Sequence, residues 1–119
     1  SDLQDLGFSC SAKDLVLSRA RKALDLGCAG VVSSGLEVPA LRKHIGNRLL
    51  VVVPGVRPVE NTSVDDQKRT VNVRQAFHNG ADHVVIGRPI RQAADPLELV
   101  DRLQKDIAAV CTTQQSPKA

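Results

Sequence analysis

Two arginines and a glutamine are the residues of this chain whose types and positions suit chemistry on an anion. Arg88 follows Gly87 at the end of the apolar run Val84-Val85-Ile86, and Arg57 stands in Pro54-Gly55-Val56-Arg57-Pro58 at the end of another, Leu49-Leu50-Val51-Val52-Val53. A glycine lets a backbone N–H face an incoming group with no Cβ in the way, and a guanidinium beside it offers a planar fork that matches phosphate. From Val84 to Ile90 alone two readings stay open: an anion site, or a glycine that only turns the chain beside a solvated arginine. Gln67 lies in a long polar loop, about residues 59–71, where an amide donor could reach a phosphate if the loop closes as a lid. A plain surface loop is the alternative. The adjacent Asp65 and Asp66 would repel an anion and are assigned to solvent.

Other reactive types are present without the spacing that would make them a site. Ser33 and Ser34 end an apolar run, but small residues there often only relieve crowding. His44, His78 and His83 are scattered and form no ligand set, so no metal is expected. Cys10, Cys28 and Cys111 are odd in number and widely spaced, with no C-x-x-C pair, and read as reduced thiols of a cytoplasmic protein. None has an evident base beside it. No G-x-S-x-G elbow, P-loop or zinc spacing occurs, and no catalytic residue is assigned within this chain.

The totals narrow the class. The 119 residues, 42% of them apolar, can build one ordinary core or half of a large one. No run approaches the roughly 18 apolar residues of a membrane span, and the first residues lack the basic and apolar regions of a signal peptide; with no initiator methionine, the chain reads as starting mid-protein. The formal charge of +3 is scattered, and only 2 aromatic residues, both Phe, could stack on bases. Neither a membrane nor a nucleic acid is therefore an expected partner, whereas a small anionic ligand is.

The pattern also defines the elements that must position these residues. Ser11 followed by Asp14 resembles a capping box, and Leu15, Val16, Ala20, Ala23 and Leu24 recur at helical spacing, which predicts a helix over roughly 12–26. Gly30 to Gly35 reads as a short buried strand reaching a surface, and a helix should follow from about Leu36 to Gly46, with Pro39 in its first turn. Leu49 to Val53 is the strongest strand signal. Asn72 caps a further helix whose Gln75 can return the bond, closing at Asn79-Gly80. A strand over about 83–86 comes next, and Asp95-Pro96 opens a last helix expected to end near Val110. The polar stretch from Thr112 to Ala119, with Pro117, is expected to be a disordered tail, so the folded unit is placed at residues 1–111 and the tail at 112–119.

Strands separated by single helices run parallel. Three strands apolar on both faces make a poor free-standing sheet with two open edges, so the chain is expected to be part of a larger parallel α/β assembly, a (β/α)8 barrel or a doubly wound sheet. In either, the ends carrying Ser33-Ser34, Pro54 to Arg57 and Gly87-Arg88 share one rim, where a ligand belongs. In a barrel, a short extra helix around Ile90 to Ala94 would add the positive end of its dipole.

In order and spacing, Gly30-Val31-Val32-Ser33-Ser34, Pro54-Gly55-Val56-Arg57-Pro58, Asp66-Gln67-Lys68-Arg69, Gly80-Ala81-Asp82, Val85-Ile86-Gly87-Arg88-Pro89-Ile90 and Ala93-Ala94-Asp95-Pro96 resemble the C-terminal half of orotidine 5′-phosphate decarboxylases, over about Asp2 to Val110. The resemblance implies an α/β chain forming the C-terminal half of a TIM (β/α)8 barrel. It implies an enzyme that releases CO2 from orotidine 5′-monophosphate to give UMP in pyrimidine synthesis, without metal or organic cofactor, as a homodimer. Arg57, Gln67, Gly87 and Arg88 would hold the substrate phosphate, and Pro54 would line the pocket near the base. The family's Asp-x-Lys-x-x-Asp motif belongs to an earlier strand. Asp66-Gln67-Lys68 imitates its first three letters, but Val71 stands where the second aspartate should be. The chain alone is thus expected to be inactive without an N-terminal half. Two alternatives remain at this stage: a non-catalytic half-barrel that self-associates and binds phosphate or nucleotide, and a related sugar-phosphate barrel such as hexulose-phosphate synthase, against which the Arg57 and Gln67 segments argue.

Overall fold

In a computed structural model of the chain, residues 5–7, 9–58 and 71–114 are described. Local signals set the first helix, α1 (Ala12–Asp25): the Ser11 hydroxyl accepts from the Asp14 N–H at 3.1 Å, and Leu26 ends the helix one residue before Gly27. Strand β1 (Gly30–Val32) is shorter than the expected run. The cause lies in its small polar end, where Ser33 Oγ donates to the Ser34 carbonyl and the Leu36 N–H donates to Ser34 Oγ, turning the chain away. Helix α2 (Val38–Ile45) consequently starts two residues later than expected, with Pro39 in its first turn.

The remaining elements follow the same logic. Strand β2 (Leu50–Pro54) is built on the β-branched run Val51-Val52-Val53, and helix α3 (Val73–Asn79) opens on a complete capping box between Asn72 and Gln75. Gly80 closes α3 at φ +116°, a backbone state that favours glycine. After strand β3 (His83–Val85) comes a single turn, α4 (Arg88–Arg91), and then helix α5 (Pro96–Gln114), capped where the Asp95 carboxylate accepts from the Glu98 N–H. Two expectations need correction. The short helix begins at Arg88 rather than near Ile90, because Gly87 serves as its N-cap. Helix α5 continues through Thr112 to Gln114, where a disordered tail was expected, because Val110 and Cys111 still pack against the core. Residues 115–119 lie outside the described residues.

The sheet is three-stranded and parallel in the order β1-β2-β3. Val51 and Val53, at 1% and 0% exposure, point toward the helices and join Val38, Leu41, Ile45, Ala76, Phe77 and Leu103 in one buried cluster. The opposite face is bare: Val32 is 72% exposed, Leu50 48% and Val85 53%. Burial on both faces was expected of these strands, and within this chain it holds only on the helix side. At Gly30 a Cβ would sit 2.5 Å from the Leu50 carbonyl oxygen, so glycine there is required by the close approach of β1 to β2.

Among the described residues no helix is long and apolar enough to cross a membrane.

Candidate functional site at the strand ends

Parallel pairing decides which residues share the carboxyl rim. Pro54 is the register partner of Val85, so the chain leaves β2 and β3 at the same level. Arg57 then lies three residues beyond Pro54, and Gly87 and Arg88 lie two and three beyond Val85. The structure thus brings Pro54, Arg57, Gly87 and Arg88 to one rim, from segments about 30 residues apart in sequence.

Each is held by its own element. Gly55, at φ +70°, turns the chain after β2, and Val56 is buried behind it. The Arg57 N–H donates to the Val71 carbonyl at 3.2 Å, and Arg57 forms an isolated parallel bridge with Asn72. That bridge ties together the two feet of the segment that carries Gln67, which itself lies outside the described residues. Gly87 caps α4, its carbonyl accepting from the N–H groups of Ile90 and Arg91 at 3.1 and 3.2 Å. Pro89 has no N–H, so Gly87 and Arg88 carry the backbone donors nearest this end. A Cβ on Gly87 would meet nothing within 4 Å, which leaves space in front of its backbone. Arg57 and Arg88 are both exposed.

The hydroxyls of Ser33 and Ser34 take part in the turn after β1, which accounts for them without a ligand. His44, on α2, is hydrogen-bonded through Nδ1 to the Ala40 carbonyl, and His83 begins β3. Among the described residues no three His, Cys, Asp or Glu side chains are grouped to hold a metal ion. The cysteines are free thiols.

One polar cluster escaped the sequence reading. The Arg42 guanidinium donates from Nε to the Gly80 carbonyl (2.9 Å), from Nη1 to those of Gly46 and Leu49 (2.8 Å each), and from Nη2 to Asp82 Oδ2 (2.6 Å). Asp82 Oδ2 also accepts from the Val51 N–H at 2.9 Å. These groups precede β2 and β3, so the cluster fastens α2 to the amino rim, opposite Arg57 and Arg88. It borders a depression of about 440 Å3 with Phe77 and Cys111 in its walls, and another of about 480 Å3 lies between α1 and α2 near Lys13 and Lys43. Neither includes Pro54, Arg57, Gly87 or Arg88.

A parallel sheet with helices on one face, a bare apolar opposite face and basic residues at its carboxyl rim is part of a (β/α)8 barrel, its C-terminal half. The chain belongs to the orotidine 5′-phosphate decarboxylase / HUMPS family, whose model matches residues 1–103. It is 64% identical over 109 residues to an orotidine 5′-phosphate decarboxylase of Methylococcus capsulatus, covering 92% of this chain and 45% of the relative. A Syntrophus aciditrophicus protein of the same name is 45% identical over 107 residues, covering 90% and 43%. The crystal structure of orotidine 5′-phosphate decarboxylase from Lactobacillus acidophilus superimposes with a TM-score of 0.73 at 30% identity, over 89% of this chain and 43% of that one. The chain thus spans less than half the length of the relatives it matches.

Proposed function

We propose that this chain supplies the phosphate-holding rim of an orotidine 5′-phosphate decarboxylase, which converts orotidine 5′-monophosphate and a proton into UMP and CO2. The observation that supports the reading is the pairing of Pro54 with Val85, from which the segments carrying Arg57 and Gly87-Arg88 both leave the sheet at its carboxyl end. Arg57 and Arg88 take the 5′-phosphate oxygens as charge-assisted donors, the Gly87 N–H adds a backbone donor, and Gln67 joins from the segment whose feet the Arg57–Asn72 bridge ties. Pro54 lines the pocket toward the base. Support comes also from the named relatives, all matched across this stretch.

The carbon chemistry belongs to the N-terminal half. In the family, an Asp-x-Lys-x-x-Asp motif crowds carboxylate against the substrate carboxylate, the C–CO2 bond breaks with its electron pair left on the ring carbon, and the lysine protonates that carbon. No metal or organic cofactor takes part. Phosphate binding far from the reacting carbon contributes to rate, because remote binding energy organises the site around the transition state. The same reading makes the complete enzyme a cytoplasmic homodimer.

The test uses a continuous chain in which this sequence follows the N-terminal half of the Methylococcus capsulatus relative. Arg88→Ala removes two charge-assisted bonds worth roughly 1.5–3 kcal/mol each, so kcat/KM for orotidine 5′-monophosphate should fall by about 150- to 25,000-fold. Unchanged kinetics would remove Arg88 from the site.

A further inference from the structure

The turn after β1 meets the anchor of Arg57 at one residue, Val71. The turn itself is fixed on both sides of Gly35: the Ser33 N–H donates to the Val52 carbonyl at 2.9 Å, and the Leu36 and Glu37 N–H groups donate to Ser34 Oγ and to the Ser34 carbonyl. Gly35 is buried there. Its backbone lies outside the left-handed region, so the turn does not by its conformation call for glycine. What excludes a side chain is space: a Cβ built on Gly35 would be driven into Val71 Cγ2 and would stand 3.2 and 3.3 Å from Cγ1 and Cβ of the same residue. Rotation about χ1 cannot clear the overlap, because the Val71 Cβ moves only with its backbone.

Val71 in turn holds Arg57. Its carbonyl accepts from the Arg57 N–H at 3.2 Å, and Arg57 bridges to Asn72 beside it. Val71 is 6% exposed, and Val56, next to Arg57, and Val73, two residues on, are each 1% exposed, so the packing around this anchor leaves no slack. A displacement of Val71 is therefore passed to the Arg57 backbone. We propose that Gly35 is a positioning residue for the substrate phosphate: by carrying no side chain it lets Val71 seat against the turn after β1, and the Val71 carbonyl then sets the backbone from which the Arg57 guanidinium reaches the phosphate. The inference rests on the functional reading above, in which Arg57 binds that group.

The experiment uses the continuous chain that joins this sequence to the N-terminal half of the Methylococcus capsulatus relative. Gly35→Ala should lower kcat/KM for orotidine 5′-monophosphate about 10- to 100-fold, the loss of one charge-assisted contact, and leave kcat/KM for orotidine, which lacks the phosphate, within about twofold. A partly unfolded enzyme would instead lose both in proportion. Exchange of the Arg57 amide should speed, since its bond to Val71 is disturbed. In a Val71→Ala background the space is open, and there Gly35→Ala should cost less than about threefold. Should Gly35→Ala alone fail to fold, the double variant should fold and keep the preference for the phosphorylated substrate. Equal losses on both substrates, an unaltered Arg57 amide, an undiminished cost in the Val71→Ala background, or a double variant that stays unfolded would each overturn the proposal. Arg57→Ala separates this failure from that of the functional reading. If Arg57→Ala abolishes the preference for the phosphorylated substrate while Gly35→Ala leaves it intact, the positioning role alone is refuted. If Arg57→Ala leaves the preference intact, the phosphate role of Arg57 is refuted, and the proposal with it.

Discussion

Arg42→Ala tests whether the cluster at the amino rim holds the fold together or merely decorates it. The substitution strips hydrogen bonds from three backbone carbonyls, those of Gly46, Leu49 and Gly80, and breaks the ion pair with Asp82. At about 1 kcal/mol net for each carbonyl left without its donor, the backbone bonds account for roughly 3 kcal/mol. The ion pair adds less: the Arg42 and Asp82 side chains are 17% and 36% exposed, and water screens the attraction to at most ~1 kcal/mol. The sum, about 3–4 kcal/mol, is a large share of the 5–15 kcal/mol that folded domains typically possess. At about 4 °C per kcal/mol for a domain of this size, the midpoint of thermal unfolding, followed by circular dichroism, should fall by roughly 12–16 °C. Asp82→Asn is the matched control. It keeps an oxygen that can accept from the Val51 N–H and loses only the charge, so its cost should stay under about 1 kcal/mol. If Arg42→Ala lowers the midpoint no further than Asp82→Asn does, the carbonyl bonds contribute nothing and the cluster is an ordinary surface ion pair.

Further changes probe separate links. Asn72→Ala removes the cap of α3 and loosens the foot bridged to Arg57; a loss of about 1 kcal/mol in urea unfolding is expected, and no loss would mean that the capping box is not formed in solution. Gly30→Ala drives a Cβ against the Leu50 carbonyl at 2.5 Å, so β1 must shift from β2; amide exchange of Leu50 and Val52 should speed markedly, and unaltered protection would contradict the register. Gln67→Ala in the continuous enzyme should lower kcat/KM about 10- to 100-fold through one lost bond to phosphate, and an equal effect on a substrate lacking the phosphate would show that Gln67 acts elsewhere.

Local signals were legible because their partners are three or four residues apart. Ser11 with Asp14, Asn72 with Gln75, the Asp95-Pro96 cap and the glycine after α3 each bound a helix as the sequence predicts. The misplaced boundaries have equally specific causes. The turn built by Ser33 and Ser34 shortened β1 and delayed α2, and the packing of Val110 and Cys111 carried α5 past the polar residues that suggested a tail. Arg42 left no trace in the pattern, since its acceptors at Gly80 and Asp82 lie 38 and 40 residues away.

Taken by itself, the sequence determined that three β-branched strands alternate with helices and end on a proline, glycines and arginines, because those are properties of short runs of residues. It did not determine which face of those strands is covered. Only the tertiary structure decided that, by packing every helix-side valine into one core and leaving Val32, Leu50 and Val85 in water. The alternation of side chains across a strand divides residues between two faces, but what covers each face depends on elements distant in the chain. The rim was decided in the same way: the segments carrying Arg57 and Arg88 leave the sheet at the same level through the pairing of Pro54 with Val85, a register that no local spacing records.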